Sequence, residues 1–146
     1  MVAVCLDLEG VLVPEIWIEV SKKTGIKELS LTTRDIPDYD VLMRRRIKIL
    51  RRCRIRLKDI QKVISTMKPL PGAVAFLAHL RASHQVIILS DTFCEFAMPL
   101  MKKLSYPAIF CNELQADKAG FVAGYRLRQK NGKERSVKAL QNIGFK

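Results

Sequence analysis

Histidine is almost missing from this chain. His79 and His84 are the whole supply, and neither has a second ligand at a metal-binding spacing. Cysteine is sparse as well. Cys5, Cys53, Cys94 and Cys111 are scattered, with no Cys-x-x-Cys pair. Neither a zinc site nor a disulfide framework follows, and free cytosolic thiols are the natural reading. No apolar run approaches the ~20 residues of a membrane-crossing helix, since Ala73–Ala78 and Ile87–Leu89 both stop at polar residues. The N-terminus carries no basic leader, and its apolar run ends in Asp-Leu-Glu, which marks a strand and not a signal peptide. Repeats and low-complexity tracts are absent, and a cytoplasmic location is expected. Acid is scarce relative to base: 26 Lys and Arg against 14 Asp and Glu leave a net charge of +12. That excess favours anionic partners without choosing between phosphate groups, nucleic acid and acidic lipid.

Apolar residues make up 49% of the 146, enough for the packed core of one ordinary domain or of a core with a modest insertion. The stretch Val2-Ala-Val-Cys-Leu6 runs without polar alternation into Asp7, with Glu9 two positions on and Gly10 next. Such a run reads as a strand buried on both faces, at the centre of a parallel sheet. Open α/β sheets place ligands at the C-terminal ends of their strands, so Asp7 stands at the mouth of a crevice and Gly10 permits a sharp turn beyond it. The other reading is a strand that simply ends in polar loop residues.

The pattern then turns helical. Ile16, Trp17 and Val20 with the Lys22-Lys23-Thr24-Gly25 ending predict a short helix closed by glycine. Residues 26–39 read mostly as loop. Helices are expected from Asp38 or Asp40 to about Arg54 and from about Leu57 to Met67, before the Lys68-Pro-Leu-Pro-Gly72 break. After it come a helix over 73–82, a buried strand over 85–90, a helix over 94–104 and a strand over 108–111. A turn at 116–120, a strand-like run over 121–129 and a helix from Lys133 to about Asn142 complete the order. The expected architecture is a doubly wound, Rossmann-like parallel α/β sheet. It is built from residues 1–14 and 70–146, with a helical cap over 15–69.

Three groups stand out. Val86-Ile-Ile-Leu-Ser-Asp-Thr92 delivers Ser90 and Asp91 to a strand end, beside Asp7 if the two strands are neighbours. There they serve either a phosphate group or the cap of the next helix. Lys133 opens the last helix, against the dipole, so it is either a solvated surface lysine or one offset by nearby carboxylates or phosphate. On a wheel of about 100° per residue, Met43, Ile47 and Leu50 define an apolar arc that contains Arg46. An inward guanidinium suits a carboxylate anion, unless its stem merely snorkels at the edge of the core. Glu15 lies one turn past Asp7 and can meet an ammonium group.

The order Asp7-Leu-Glu9-Gly-Val11, then Ser90-Asp-Thr92, then a helix-starting Lys133 resembles the haloacid dehalogenase-like phosphatases. Their usual first motif is Asp-x-Asp, and the Glu in second place here resembles the bifunctional phosphoserine phosphatase/homoserine phosphotransferase branch. The stretches Val13-Pro-Glu-Ile-Trp17, Arg34-Asp-Ile-Pro-Asp-Tyr-Asp40 and Leu89-Ser-Asp-Thr-Phe93 resemble the same branch. The resemblance implies Asp7 as nucleophile, Glu9 as general acid and base, and Ser90, Asp91 and Lys133 at the phosphoryl group. It also implies Glu15 and Arg46 at the substrate amino acid. Mg²⁺ would sit on an Asp7 carboxylate oxygen and the Glu9 main-chain carbonyl. The substrate would be phosphoserine, with homoserine as an alternative acceptor.

The sequence departs from that family in one respect. A fourth motif, Gly-Asp-x-x-x-Asp/Asn on a further strand, does not occur before Asn142-Ile-Gly-Phe-Lys146. The expectation is therefore a sheet incomplete at its C-terminal end, with Val2–Leu6 left as an edge through which two chains could associate. Little activity is expected of the polypeptide alone. Two other classes of function stay in view. One is a silent subunit docking on a complete homologue, and the other a nucleic-acid binder using the basic run from Arg44 to Lys58, the less favoured because no aromatic platform accompanies it.

Overall fold

The computed structural model describes all 146 residues. Strand β1 (Ala3–Leu6) runs parallel to β2 (Gln85–Phe93), β2 runs parallel to β3 (Ala108–Ala116), and β4 (Val122–Arg126) closes antiparallel on β3, giving the spatial order β1-β2-β3-β4. The register pairs Leu6 with Ile88. Asp7 and Ser90 therefore leave neighbouring parallel strands at the same rim, the placement that sequential α/β strands produce.

β1 is an outer strand, the edge expected of a sheet without a fourth motif, and with β2 as its one full neighbour Ala3 to Leu6 are half-buried and not enclosed as their apolar run implied. Its free edge meets Lys146, whose amide donates to the Met1 carbonyl (3.1 Å) and whose carbonyl accepts from Ala3 (3.0 Å).

Gly10, at φ 76°, turns the chain as expected. Its amide donates to the Val13 carbonyl at 2.8 Å, while the Leu12 amide returns to Leu8 at 2.9 Å. The turn tucks Leu8, Leu12 and Val13 fully out of solvent, and this fixes where Glu9 points. A residue with a Cβ would be strained at that φ although the space is open.

Three helices follow: α1 (Ile16–Thr24), α2 (Tyr39–Arg52) and α3 (Leu57–Thr66), with a 3₁₀ turn over Lys27–Ser30 between the first two. Gly25 ends α1 in the left-handed conformation, its amide on the Ser21 carbonyl. The Asp38 carboxylate caps α2 by accepting from the Val41 amide at 3.0 Å. After α4 (Ala73–Arg81), the strand expected to stop at Ser90 continues to Phe93. The run Ser90-Asp-Thr92 therefore does not cap α5 (Cys94–Met101), which has no side-chain cap at all. Between Leu89 and Phe93 the β2–β3 register jumps from Phe110 to Asn112, so four steps on β2 face two on β3. The excess is a bulge that re-aims the intervening side chains. The expected helix over 94–104 ends earlier, giving way to a 3₁₀ turn over Lys102–Leu104, and β3 runs longer than foreseen because β4 pairs with its second half. Helix α6 (Gly132–Asn142) closes the order, entered through Asn131 at φ 53°.

One apolar cluster joins sheet and helices. Through it runs a file of edge-to-face rings: Trp17 on Phe96 (5.3 Å between centroids), Phe96 on Phe93 (5.6 Å), Phe93 on Tyr125 (6.2 Å) and Tyr125 on Tyr39 (5.7 Å). The file ties α1, α5, β2, β4 and α2 together beneath the crevice. Helix α2 is also held to the β3–β4 hairpin by the Tyr125 hydroxyl, which donates to Asp40 at 2.7 Å, and by the Arg51–Asp117 ion pair.

Candidate active site

A cavity of about 180 Å³ opens where the C-terminal ends of β1 and β2 meet α1 and α2. Its walls bring together Asp7, Glu9, Glu15, Arg46, Ser90, Asp91 and Lys133, every site residue singled out from the sequence. The register of β1 and β2 brings Asp7 to Ser90, and the helices add Glu15, Arg46 and Lys133.

Asp7 is the first residue beyond β1. One carboxylate oxygen accepts from the Leu8 amide at 2.8 Å and the other from the Lys133 ammonium at 2.7 Å. Lys133 stands in the first turn of α6 and also lies 3.3 Å from Asp91. Burial works against its charge, but the hydrogen bond to Asp7 and the charges of Asp91 and Asp7 outweigh that and raise its pKa. The two carboxylates supply the offset that a cation at a helix N-terminus requires. Both Asp7 and Lys133 keep 41% of their side chains exposed, so the pair contributes little to stability and is open to a ligand.

Glu9 lies deeper. Burial raises its pKa, partly countered by hydrogen bonds from the Ile16 amide (2.9 Å) and the Thr92 side chain. A carboxyl group moved toward neutrality beside a carboxylate paired with a cation is the arrangement from which acid–base chemistry is built. Ser90 is buried on the bulge, its hydroxyl oxygen accepting from the Thr92 amide at 3.2 Å. Asp91 turns its carboxylate outward to Lys133. A carboxylate cannot donate to a phosphoryl oxygen, so the side chain orients the lysine, and any contact with phosphate would fall to the main chain.

Arg46 is 5% exposed, on the inner face of α2. Its guanidinium lies over the Trp17 ring at 4.5 Å and donates to the Leu31 carbonyl at 2.7 Å, while Nε is buried without a partner. Burial lowers its pKa to about 10, against the opposing charges of Tyr39, Glu9 and Glu15. A fully inward cation with a spare donor contradicts the snorkelling alternative. Glu15 faces the same cavity from the start of α1.

Sequence reasoning missed Tyr39, Trp17 and Thr92 as wall residues, and Asn112 behind them. Burial raises the Tyr39 pKa, and its ring stands between this cavity and a larger one beside it. Asn112 donates to the Asp91 carbonyl at 3.1 Å and accepts from the Arg128 amide at 3.0 Å, bracing the bulge against the loop that leads to Lys133. Trp17, Tyr39 and Thr92 lie within stretches that carried the family resemblance, whereas Asn112 carried no signal.

For a hard cation the site offers an Asp7 carboxylate and the Glu9 main-chain carbonyl, which accepts no hydrogen bond. Nowhere do three or more His, Cys, Asp or Glu side chains come close enough together to hold a metal ion by themselves. Within the basic run, Arg44, Arg52 and Arg51 pair with Asp40, Glu28 and Asp117, which removes part of the charge that a nucleic acid would meet. No helix is long and apolar enough to cross a membrane.

Comparison with known proteins bears on the family and the fold. The family model described as haloacid dehalogenase-like hydrolase matches residues 12–144. The chain is 56% identical over 142 residues to phosphoserine phosphatase ThrH of Pseudomonas aeruginosa, covering 97% of this chain and 69% of that protein. It is equally similar, over the same share of this chain, to a phosphoserine phosphatase of Pseudomonas syringae pv. tomato, of which it spans 60%. Among solved structures, a phosphoserine phosphatase carrying a phospho-aspartyl intermediate analogue superposes with a TM-score of 0.76 at 17% identity, over 99% of this chain and 73% of that one. The phosphoserine phosphatase of T. onnurineus gives 0.70 at 21%, over 94% and 70%. At such identities these two likenesses concern the fold.

Proposed function

This chain belongs to the haloacid dehalogenase-like hydrolase family, and we propose that it is a cytoplasmic phosphoserine phosphatase that works through an aspartyl-phosphate on Asp7. The observation that carries this reading is the Lys133 ammonium 2.7 Å from the Asp7 carboxylate, with Glu9 and Ser90 in the same cavity wall. A carboxylate nucleophile, a carboxyl group biased toward its protonated form, and a cation with a hydroxyl for phosphoryl oxygens are the parts that phosphoryl transfer needs.

In the proposed reaction an Asp7 oxygen attacks phosphorus and the bond to the seryl oxygen breaks, while Glu9 gives that oxygen its proton. Water then attacks the phosphoryl group and loses a proton to Glu9, releasing phosphate and restoring Asp7. Homoserine in place of that water would make the chain a phosphotransferase. Lys133 turns from its two carboxylates to the phosphoryl oxygens, and the Ser90 hydroxyl donates to another. Arg46 takes the substrate carboxylate on its fork, and Glu15 the ammonium. Residues 15–69 thus act as a cap that selects the amino-acid part, over a core of 1–14 and 70–146.

The donor set fits Mg²⁺, since the Asp7 carboxylate and the open Glu9 carbonyl are hard oxygen atoms and this ion commonly keeps several waters. When bound it would supply positive charge at the phosphoryl oxygens. Two protein donors make a weak site, so slow turnover is expected of this polypeptide by itself. The part of the outer edge of β1 beyond its pairing with Lys146 is the surface through which we expect chains to associate, and sedimentation showing only monomers would remove that element.

Phosphate release from phosphoserine with Mg²⁺ tests the reading: slow turnover that Asp7→Asn abolishes is expected, and turnover untouched by that change would overturn it. Calorimetric binding of phosphoserine keeps the assignment testable when turnover is too slow. Affinity well above that for serine is expected, and equal affinity for the two would refute the phosphate site.

A further inference from the structure

Cys94 and Cys111, 17 positions apart, hold their sulfur atoms 3.1 Å from each other, although both are free thiols. Nothing in the reaction proposed above uses them. Cys94 is the first residue of α5 and is half-buried, whereas Cys111 is buried on β3. Cys111 also forms part of the wall of a second cavity, of about 670 Å³, together with Phe110, Asn112 and Arg128. That cavity shares Ser90, Asp91 and Lys133 with the candidate active site.

We propose that Cys94 and Cys111 are a modification site: a dithiol that a hydroperoxide converts to a reversible intramolecular disulfide. The two sulfurs differ in a way that assigns their parts. Burial, with the hydrogen bond to Cys94, pushes the Cys111 thiol up to about 12, which keeps it protonated. Cys94 is the more exposed of the two, so it is the sulfur that a peroxide from solution reaches first. The Cys94 thiolate attacks one peroxide oxygen, the O–O bond breaks, and the departing alkoxide takes up a proton as alcohol. Cys94 is left as a sulfenic acid. Cys111 then attacks the Cys94 sulfur, the S–O bond breaks, and water leaves with the Cys111 proton. Two thiols and one hydroperoxide give one disulfide, one alcohol and one water, with two electrons passing from sulfur to the peroxide.

Bond formation must draw the sulfurs from 3.1 Å to about 2.05 Å. Cys94 follows immediately on the bulged run Ser90–Phe93, and the neighbour of Cys111, Asn112, holds the Asp91 carbonyl. The cross-link therefore cinches the segment that carries Ser90 and Asp91 from both of its sides.

The test uses the native 146-residue chain treated with hydrogen peroxide, then alkylated and analysed by mass spectrometry. The expected result is loss of two hydrogens per chain, a peptide pair joined through Cys94 and Cys111, and reversal by dithiothreitol. Cys94→Ser and Cys111→Ser should each abolish the cross-link, while Cys5 and Cys53 stay alkylatable. Amide hydrogen exchange across residues 90–93 should slow in the oxidised chain. Progression of Cys94 to sulfinic acid with Cys111 still alkylatable would overturn the proposal, as would cross-links formed only between chains. Unchanged exchange over 90–93 would overturn the coupling to the bulge.

Discussion

Replacing Arg46 with methionine should separate what this residue does for the fold from what it does for a ligand. Its pKa, lowered by burial to about 10, corresponds to roughly 3 kcal/mol held against the charged form in the folded chain. Two contacts work the other way. The charged hydrogen bond to the Leu31 carbonyl contributes about 1.5–3 kcal/mol, and stacking on Trp17 about 0.5–2 kcal/mol. The sums nearly cancel, so Arg46→Met should unfold in urea within about 1 kcal/mol of the parent, although removing one partner of a buried ion pair ordinarily costs ~3–5 kcal/mol. The loss should appear instead in kcat/KM for phosphoserine, by about 2–4 kcal/mol or roughly 30- to 1,000-fold. Phosphoethanolamine lacks only the carboxylate and serves as the control. The parent should prefer phosphoserine, and the variant should barely distinguish the two. A variant that keeps the preference, or one that loses more than about 3 kcal/mol of stability, would show that the guanidinium is a structural prop and that the substrate contact is misassigned.

Glu9→Gln keeps an acceptor for the Ile16 amide but removes a carboxyl group whose pKa burial has raised. A raised folded-state pKa means that the native chain binds more protons than the unfolded one between the ordinary value and the raised one. The stability linked to Glu9 is then fully present below the ordinary value and is lost as the pH climbs through the raised one. The variant should be at least as stable as the parent near about pH 7, and that advantage should vanish on acidification. Urea midpoints at both ends of the range check this, and a gap independent of pH would contradict it. Asp38→Ala removes the cap of α2 and should cost about 1 kcal/mol. A change below the error of the melting curve would show the helix to be held by its packing alone.

The β1 end was legible because its signals are local: an apolar run, a carboxylate, and a glycine that the turn at φ 76° requires. The inward turn of Arg46 was equally readable, since helical periodicity places one position in seven without knowledge of any neighbour. What could not be read depends on partners remote in sequence. The continuation of β2 through Ser90-Asp-Thr92 exists because β3 supplies Asn112 beside it, and local preference pointed to a helix start. The place of β1 at the edge of the sheet was expected from the missing fourth motif and not from β1 itself, whose composition is that of an inner strand. Tyr39 looks like any loop aromatic until Tyr125 packs on it from 86 positions away. The contact between Cys94 and Cys111 likewise needs the α5–β3 crossing, which no spacing encodes.

The Arg46 guanidinium lies on Trp17, and Trp17 is the chain's sole indole. A built-in optical reporter follows from that stacking. Whatever draws the cation off the ring also changes the indole's polarity and its quenching, so the emission of the unlabelled protein should follow occupancy of the cavity. The signal would come from the amino-acid end of a ligand and would stay silent to orthophosphate, which separates the two halves of recognition in a single titration.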